Sequence, residues 1–413
     1  MSVTRHLEVI APAYLEKFSC LGPTCPDTCC YGWQVPVEHE SYLKLMRLQD
    51  DPLKPLVKQA LVRGPGKPGS DNFGMLKLGA TREQPCALLS ESGLCQLHAT
   101  HGETMLPDVC SSYPRASKAV DGVMDQFASP SCPEVARLLV EDVDALDLRT
   151  SQQPVRKYVE FRTTSMTPET MERLRSFFLG CMGATQLPVW QRLALQLLVA
   201  EAVEGCTGLD TSKDAQIGAV LDEWEGLLAT GEALALLQDL PRHDLLHLKV
   251  LAAASRIRAE LPFNRTRYLE LLEEALQGLG VREDGGGAEA DALVCERFAG
   301  TALTWEIDQA LGRVLLNHCY TQHYPLGMPA GKMVRVVVLH YLMLRFAAVG
   351  LTSARGRPLS HAELTELVYL FYRAQVHVPE YLSRCMAAFE GHGLQRTEHW
   401  LLLLPAEIFS EKP

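Results

Sequence analysis

Eight cysteines crowd into the first 132 residues of this chain: Cys20, Cys25, Cys29, Cys30, Cys86, Cys95, Cys110 and Cys132. The other five of the thirteen, Cys181, Cys206, Cys295, Cys319 and Cys385, are scattered through helical text and read as core thiols. A segment so rich in thiols folds around disulfides or around a metal, and the redox compartment decides which. Residues 1–18 place Arg5, His6, Glu8, Glu16 and Lys17 among their apolar neighbours, leaving no uninterrupted secretory core. The expected location is therefore cytoplasmic, where thiols stay reduced and dense cysteine spacing is metal chemistry.

Disulfides are not needed for bulk stability. A chain of 413 residues with 47% hydrophobic content buries a full-sized core, and its length suggests two or three domains. A formal net charge of -11 argues against a nucleic-acid partner, whose phosphates demand clustered Lys and Arg, and suits a lysine-bearing one. The most apolar stretch, 334–349, is broken by Arg335, His340 and Arg345, and so reads as a buried helix without a membrane role.

The fold class that follows is mainly α, with a loop-rich, cysteine-dense metal-binding region at 1–150 and a multi-helix domain at 151–413. Between Cys20 and Cys132 the text is rich in Pro and Gly, as in the run 64–69, and lacks long periodic segments, so it is expected to be loop-dominated. Short strand signals at 35–37 and 75–78 are too few for a central sheet. Later, Ile217, Val220, Leu221, Trp224, Leu227 and Leu228 follow a helical stripe, and Leu364, Leu367, Val368, Phe371 and Tyr372 repeat it. Ser360 with Glu363 forms a capping box, and Thr167 before Pro168 and Glu169 starts another helix. Gly285, Gly286 and Gly287 mark a loop near 283–290 that would subdivide the helical domain. No strand precedes these glycines, so they do not make a nucleotide-binding turn.

Cys20, Cys25, Cys29 and Cys30 lie on a loop bent by Gly22, Pro23, Pro26 and Gly32. Such a loop can turn several thiolates toward one centre, and Cys86, Cys95, Cys110 and Cys132 supply four more. Ser131 and Glu134 read as a capping box that puts Cys132 in the first turn of a helix, where the dipole favours a thiolate. By donor type alone, iron-sulfur and zinc remain equally open. His98 and His101 are one turn apart but are expected to be exposed or capping residues. Asp27, Asp108 and Tyr113 read as turn formers or supports of neighbouring cysteines, and Glu134 as a capping carboxylate.

The motifs Phe18-Ser19-Cys20, Cys25, Asp27, Cys29-Cys30, Gly32-Trp33, Cys86 to Cys95, Cys110 with Tyr113-Pro114-Arg115, and Ser131-Cys132-Pro133-Glu134-Val135-Ala136-Arg137-Leu138 resemble the flagellin lysine-N-methylases. The likeness covers roughly 15–140 and continues weakly around Leu316-Asn317-His318-Cys319-Tyr320. The first two cysteine groups also resemble small zinc- or iron-chelating proteins, which leaves a non-catalytic metal-binding module or scaffold as the rival reading. Resemblance to the methylases implies a protein-lysine N-methyltransferase with flagellin as partner, an iron-sulfur cluster of the 4Fe-4S type, and S-adenosylmethionine as methyl donor, with zinc as the alternative metal. It places all eight early cysteines as candidate metal ligands and Trp33 and Arg115 as candidate cofactor-binding residues. Trp33 is expected to pack over the site and exclude water, and Arg115 to hold a carboxylate or a surface ion pair. Cys25 and Cys29 match the first interval of the radical S-adenosylmethionine motif, and Cys30 breaks the second.

Overall fold

In a computed structural model the chain divides into two units, Met1–Leu138 with Asp144–Phe161 and Leu139–Val143 with Arg162–Pro413. The residues described are 4–79, 84–120, 122–161, 166–206, 212–238, 240, 243–261, 266–281, 287–322, 324, 329–404 and 409. Helix dominates them, and the class is mainly α.

The first unit carries two sheets among its loops, which corrects the expectation that its strand signals were too few for a sheet. Strands β1 (Arg5–Pro12), β5 (Arg115–Val120), β6 (Val123–Ala128), β7 (Leu148–Val155) and β8 (Tyr158–Phe161) form a five-stranded sheet in the order β7-β1-β6-β5-β8. β1 and β7 pair antiparallel from Arg5↔Val155 to Pro12↔Leu148, so residue 150 lies inside a strand whose partner begins at residue 5. β5 and β6 form a hairpin closed at Val120↔Val123, where Gly122 takes a φ of 90°, a conformation that only glycine adopts cheaply. The central strand β6 buries Asp125, Gln126, Phe127 and Ala128 in succession, as expected of a strand flanked on both sides. Fully buried Tyr14 closes one end, its hydroxyl accepting from Ala128 N at 2.7 Å.

The strand signals at 35–37 and 75–78 do form strands. β2 (Gln34–Val37) and β4 (Gly74–Lys77) pair antiparallel, and β3 (Leu61–Arg63) joins β4 to give the order β2-β4-β3. Val35, Val37, Leu61 and Leu76 from this small sheet pack with Leu45, Leu53, Val57 and Leu97 into a core of their own. The run 64–69 folds over Arg63, which donates to Gly64 O and Gly66 O at 2.6 Å each and stacks 3.6 Å from the Phe73 ring. The cysteine loops hang from these two sheets.

The second unit is helical, and its boundaries sit where the caps put them. Thr167 Oγ1 accepts from Thr170 N at the start of Pro168–Met182, with Pro at the first turn. The Ser360–Glu363 capping box opens His361–Phe371. Ile217 and Leu221 bury the stripe of Lys213–Thr230. Asp284, Gly285 and Gly286 lie outside the described residues, and Gly287 already begins the helix Gly287–Gly300. The apolar stretch 334–349 belongs to Ala330–Arg355, long and apolar enough to cross a bilayer, yet 94% of its most apolar window is buried inside the protein. Thr266–Leu279 and Val189–Glu204 pack against it. At the first crossing the backbones nearly touch: a Cβ on Gly350 would lie 2.6 Å from Ala275 Cβ and O.

Candidate metal centre

Main-chain hydrogen bonds bring distant cysteine segments together. Cys86 N donates to Cys30 O at 2.7 Å and Gly32 N to Gly79 O at 2.8 Å, which ties the 86–95 loop to the first cysteine loop. Within that loop Leu89 and Cys95 form a β-bridge and Gln96 N donates to Leu88 O at 2.8 Å. Cys95 thereby becomes the N-cap of the short helix Gln96–His101. Cys110 sits in the helix Asp108–Ser112, whose first N–H donates to Glu38 Oε2 at 3.1 Å. Arg156 holds the same turn, donating to Asp108 Oδ1 and Leu106 O at 2.7 Å each and to Glu103 O at 3.1 Å.

Cys29, Cys86 and Cys95 act electrostatically on Cys110, and Cys29 and Cys95 on Cys86. The Cys110 thiol is pushed well up, first by desolvation, although part of the residue reaches solvent, and then by the neighbouring Cys29, Cys86 and Cys95 thiols and Glu38. Cys86 is also raised, by burial first and then by Cys95 and Cys29, against a lowering hydrogen bond from the Leu88 backbone. Two others gather elsewhere: Cys20 and Cys132 both act electrostatically on Arg115, and Cys132 on Tyr14. Cys132 directly precedes the helix Pro133–Glu141, and its carbonyl accepts from Ala136 N at 2.9 Å, so the helix begins one residue after it. Cys25 ends the turn Gly22–Thr24 and donates its thiol to Asp27 O at 3.4 Å, while Cys30 packs against the core of the small sheet.

None of the thirteen cysteines is in a disulfide. Among the described residues no three His, Cys, Asp or Glu side chains stand in an arrangement that holds a metal ion. The donor chemistry of the set Cys29, Cys86, Cys95 and Cys110 nonetheless fits a thiolate-loving metal. Four such groups repel one another as thiolates, and a bound cation reverses that penalty.

The supporting residues have identifiable tasks. Trp33, 37% exposed, donates from Nε1 to Cys29 O at 2.7 Å, with its ring 6.0 Å from that of Tyr113. It therefore braces the cysteine loop while leaving one face to solvent. Tyr113 Oη is 3.0 Å from Ser131 Oγ, which links the Cys110 turn to the Cys132 turn. Buried Asp27 accepts from the Tyr31 hydroxyl, and Asp108 pairs with Arg156, so both carboxylates serve the local structure. His101 pairs with Asp51 at 2.8 Å and His98 is exposed. Glu134 pairs with Arg137 at 2.7 Å. Arg156, Glu38 and Tyr14 were not singled out by sequence, because each acts through partners that are remote along the chain.

A thiol-bearing unit built on two small sheets, with a large helical unit beside it in sequence, defines a mainly α protein rich in free cysteines. Residues 175–403 match the family described as FliB lysine N-methylase C-terminal domain, and the chain belongs to that family. It is 23% identical to the lysine-N-methylase of Salmonella typhimurium (strain LT2) over 391 residues, 91% of this chain and 94% of that protein. The lysine-N-methylase of Salmonella choleraesuis (strain SC-B67) is similar to the same extent, 23% over 391 residues. The flagellar biosynthetic protein FliU of Salmonella muenchen is 29% identical over 144 residues, 35% of this chain and 83% of that protein. No solved structure matches the chain.

Proposed function

We propose that this lysine N-methylase transfers methyl groups from S-adenosylmethionine to surface lysines of flagellin, and that Cys29, Cys86, Cys95 and Cys110 hold an iron-sulfur cluster on which the activity depends. Family membership supports the reaction type. The flagellar name of a relative supports the substrate. What supports the metal reading is the main-chain tie between distant cysteine segments, Cys86 N to Cys30 O at 2.7 Å, with the Cys29, Cys86 and Cys95 thiols acting electrostatically on Cys110, up to 81 positions away. When bound, such a cluster supplies a polarising or electron-transferring centre beside the methyl donor.

The remaining chemistry falls to side chains. In the transfer an N–C bond forms on the lysine, the S–C bond of the sulfonium breaks, and S-adenosylhomocysteine leaves together with a proton from the amine. The amine reacts only when neutral, and its ordinary pKa of about 10.4 has to be lowered by desolvation or its proton taken by a base. Cys86 is buried in the apolar core of the small sheet, and Cys30 and Cys95 pack against that core. Overall acidity of the chain favours approach of a cationic lysine.

The test is the intact mass of flagellin incubated with anaerobically purified protein and S-adenosylmethionine. Methyl-sized increments are expected. An unchanged mass with metal-loaded protein would instead favour a binding module that performs no transfer.

A further inference from the structure

Arg115 is placed where it could receive an anion. It opens β5 directly after Pro114 and pairs through its backbone with Ala128 of β6. The side chain is half-buried, with its guanidinium 4.9 Å over the Phe18 ring. Its Nε is shut off from water without a hydrogen-bond partner, and no carboxylate forms an ion pair with it among the described residues. Burial pulls the guanidinium down, against the charges of Glu103, Cys132, Tyr14 and Cys20. Glu103, which accepts from the Thr4 hydroxyl at 2.7 Å, acts on Arg115 through its charge without forming an ion pair with it.

A desolvated guanidinium is costly to keep without a counter-charge, and its planar fork is shaped for a carboxylate. A single fork flanked by thiols and an aromatic ring matches one negative charge better than the two of a phosphate. We propose that Arg115 binds the α-carboxylate of the methyl donor, so that it positions S-adenosylmethionine against the cysteine motifs. This rests on the reading of the chain as an S-adenosylmethionine-dependent methylase. It assigns Arg115 a binding role that folding of the sheet does not require, because the residue's strand pairing is made by its backbone.

The experiment is calorimetric titration of the full-length, metal-containing protein with S-adenosylhomocysteine and with 5′-methylthioadenosine, which shares the nucleoside but lacks the amino-acid end. Wild type should bind S-adenosylhomocysteine about ten- to hundred-fold more tightly. Arg115→Met should erase that preference and leave 5′-methylthioadenosine binding within about two-fold of wild type. Arg115→Lys, which keeps the charge and loses the fork, should retain part of the preference. It also serves as the test if Arg115→Met does not fold, as judged by melting and metal content. A preference that persists in Arg115→Met, or equal losses for both ligands, overturns the assignment. Wild type that binds S-adenosylhomocysteine no better than 5′-methylthioadenosine overturns it too, while leaving the methyl donor in place. Failure of wild type to bind either compound overturns the methyl-donor reading together with the assignment.

Discussion

Replacing Arg192 by Met should remove a large part of the helical unit's stability. Arg192 is 1% exposed and holds together three segments of the bundle. Its Nε and Nη2 donate to Leu187 O at 2.9 and 2.7 Å, its Nη1 donates to Met182 O at 3.1 Å, and Nη2 also reaches the Gln309 side chain. Fully buried Asp308 is the nearby counter-charge, itself accepting from Val189 N at 3.0 Å. Burial pulls Arg192 down to about 10, so it remains charged at neutral pH. Methionine fills similar space but leaves buried carbonyls short of donors, about 1–3 kcal/mol each, and Asp308 without its cation. These costs overlap, and a net loss of about 4 kcal/mol is expected. With an m-value of about 3 kcal/mol/M, the urea midpoint of the helical signal in circular dichroism should fall by more than about 1 M. Arg173→Met is the control: its pairs with Asp222 at 2.6 Å and Glu225 at 2.9 Å are solvent-exposed, and about 1 kcal/mol or less is at stake. A midpoint for Arg192→Met within experimental error of wild type, or equal losses in the two variants, would refute the reasoning.

Three further outcomes can be checked. Gly350→Ala forces a methyl against Ala275 backbone and should cost about 1–3 kcal/mol in a thermal melt, whereas Gly391→Ala, with open space around it, should leave the melting temperature unchanged or slightly raised. Burial depresses His247 to about 3, aided by Arg345, and His340 to about 4. Because the unfolded chain takes up those protons near pH 6.5 and the folded one does not, stability is full above that pH. It should fall by about 2 kcal/mol per histidine by pH 5, and a urea midpoint that stays flat from pH 7 to 5 would contradict this. Serine at Cys29, Cys86, Cys95 or Cys110 should weaken metal retention by about 100-fold or more in chelator competition, while serine at buried Cys181 should not.

Local physics was legible where it is local. Caps at Thr167 and Ser360, the stripe at Ile217 and Leu221, the burial of 334–349 and the strands at 35–37 and 75–78 all follow from a few neighbouring residues. The five-stranded sheet was hidden because its pairing spans the whole first unit, and β7, with the text Leu-Arg-Thr-Ser-Gln-Gln-Pro-Val, shows little apolar alternation. One signal was present and unused: Asp121 and Gly122 between Val120 and Val123 are the residues a tight hairpin prefers. The cysteine motifs pointed to one region, 20–132, as the candidate site. Their sorting into a set around Cys110 and a pair around Arg115 depends on hydrogen bonds such as Cys86 N to Cys30 O, which no spacing rule contains.

Metal content of anaerobically purified protein tests the centre most directly, with iron, zinc and acid-labile sulfide counted per chain in wild type and in Cys110→Ser. Wild type is expected to carry iron and sulfide in equal amounts with cluster absorption at about 400 nm, and the variant to lose them. Stoichiometric zinc without iron, or iron and sulfide that survive in Cys110→Ser, would contradict this expectation.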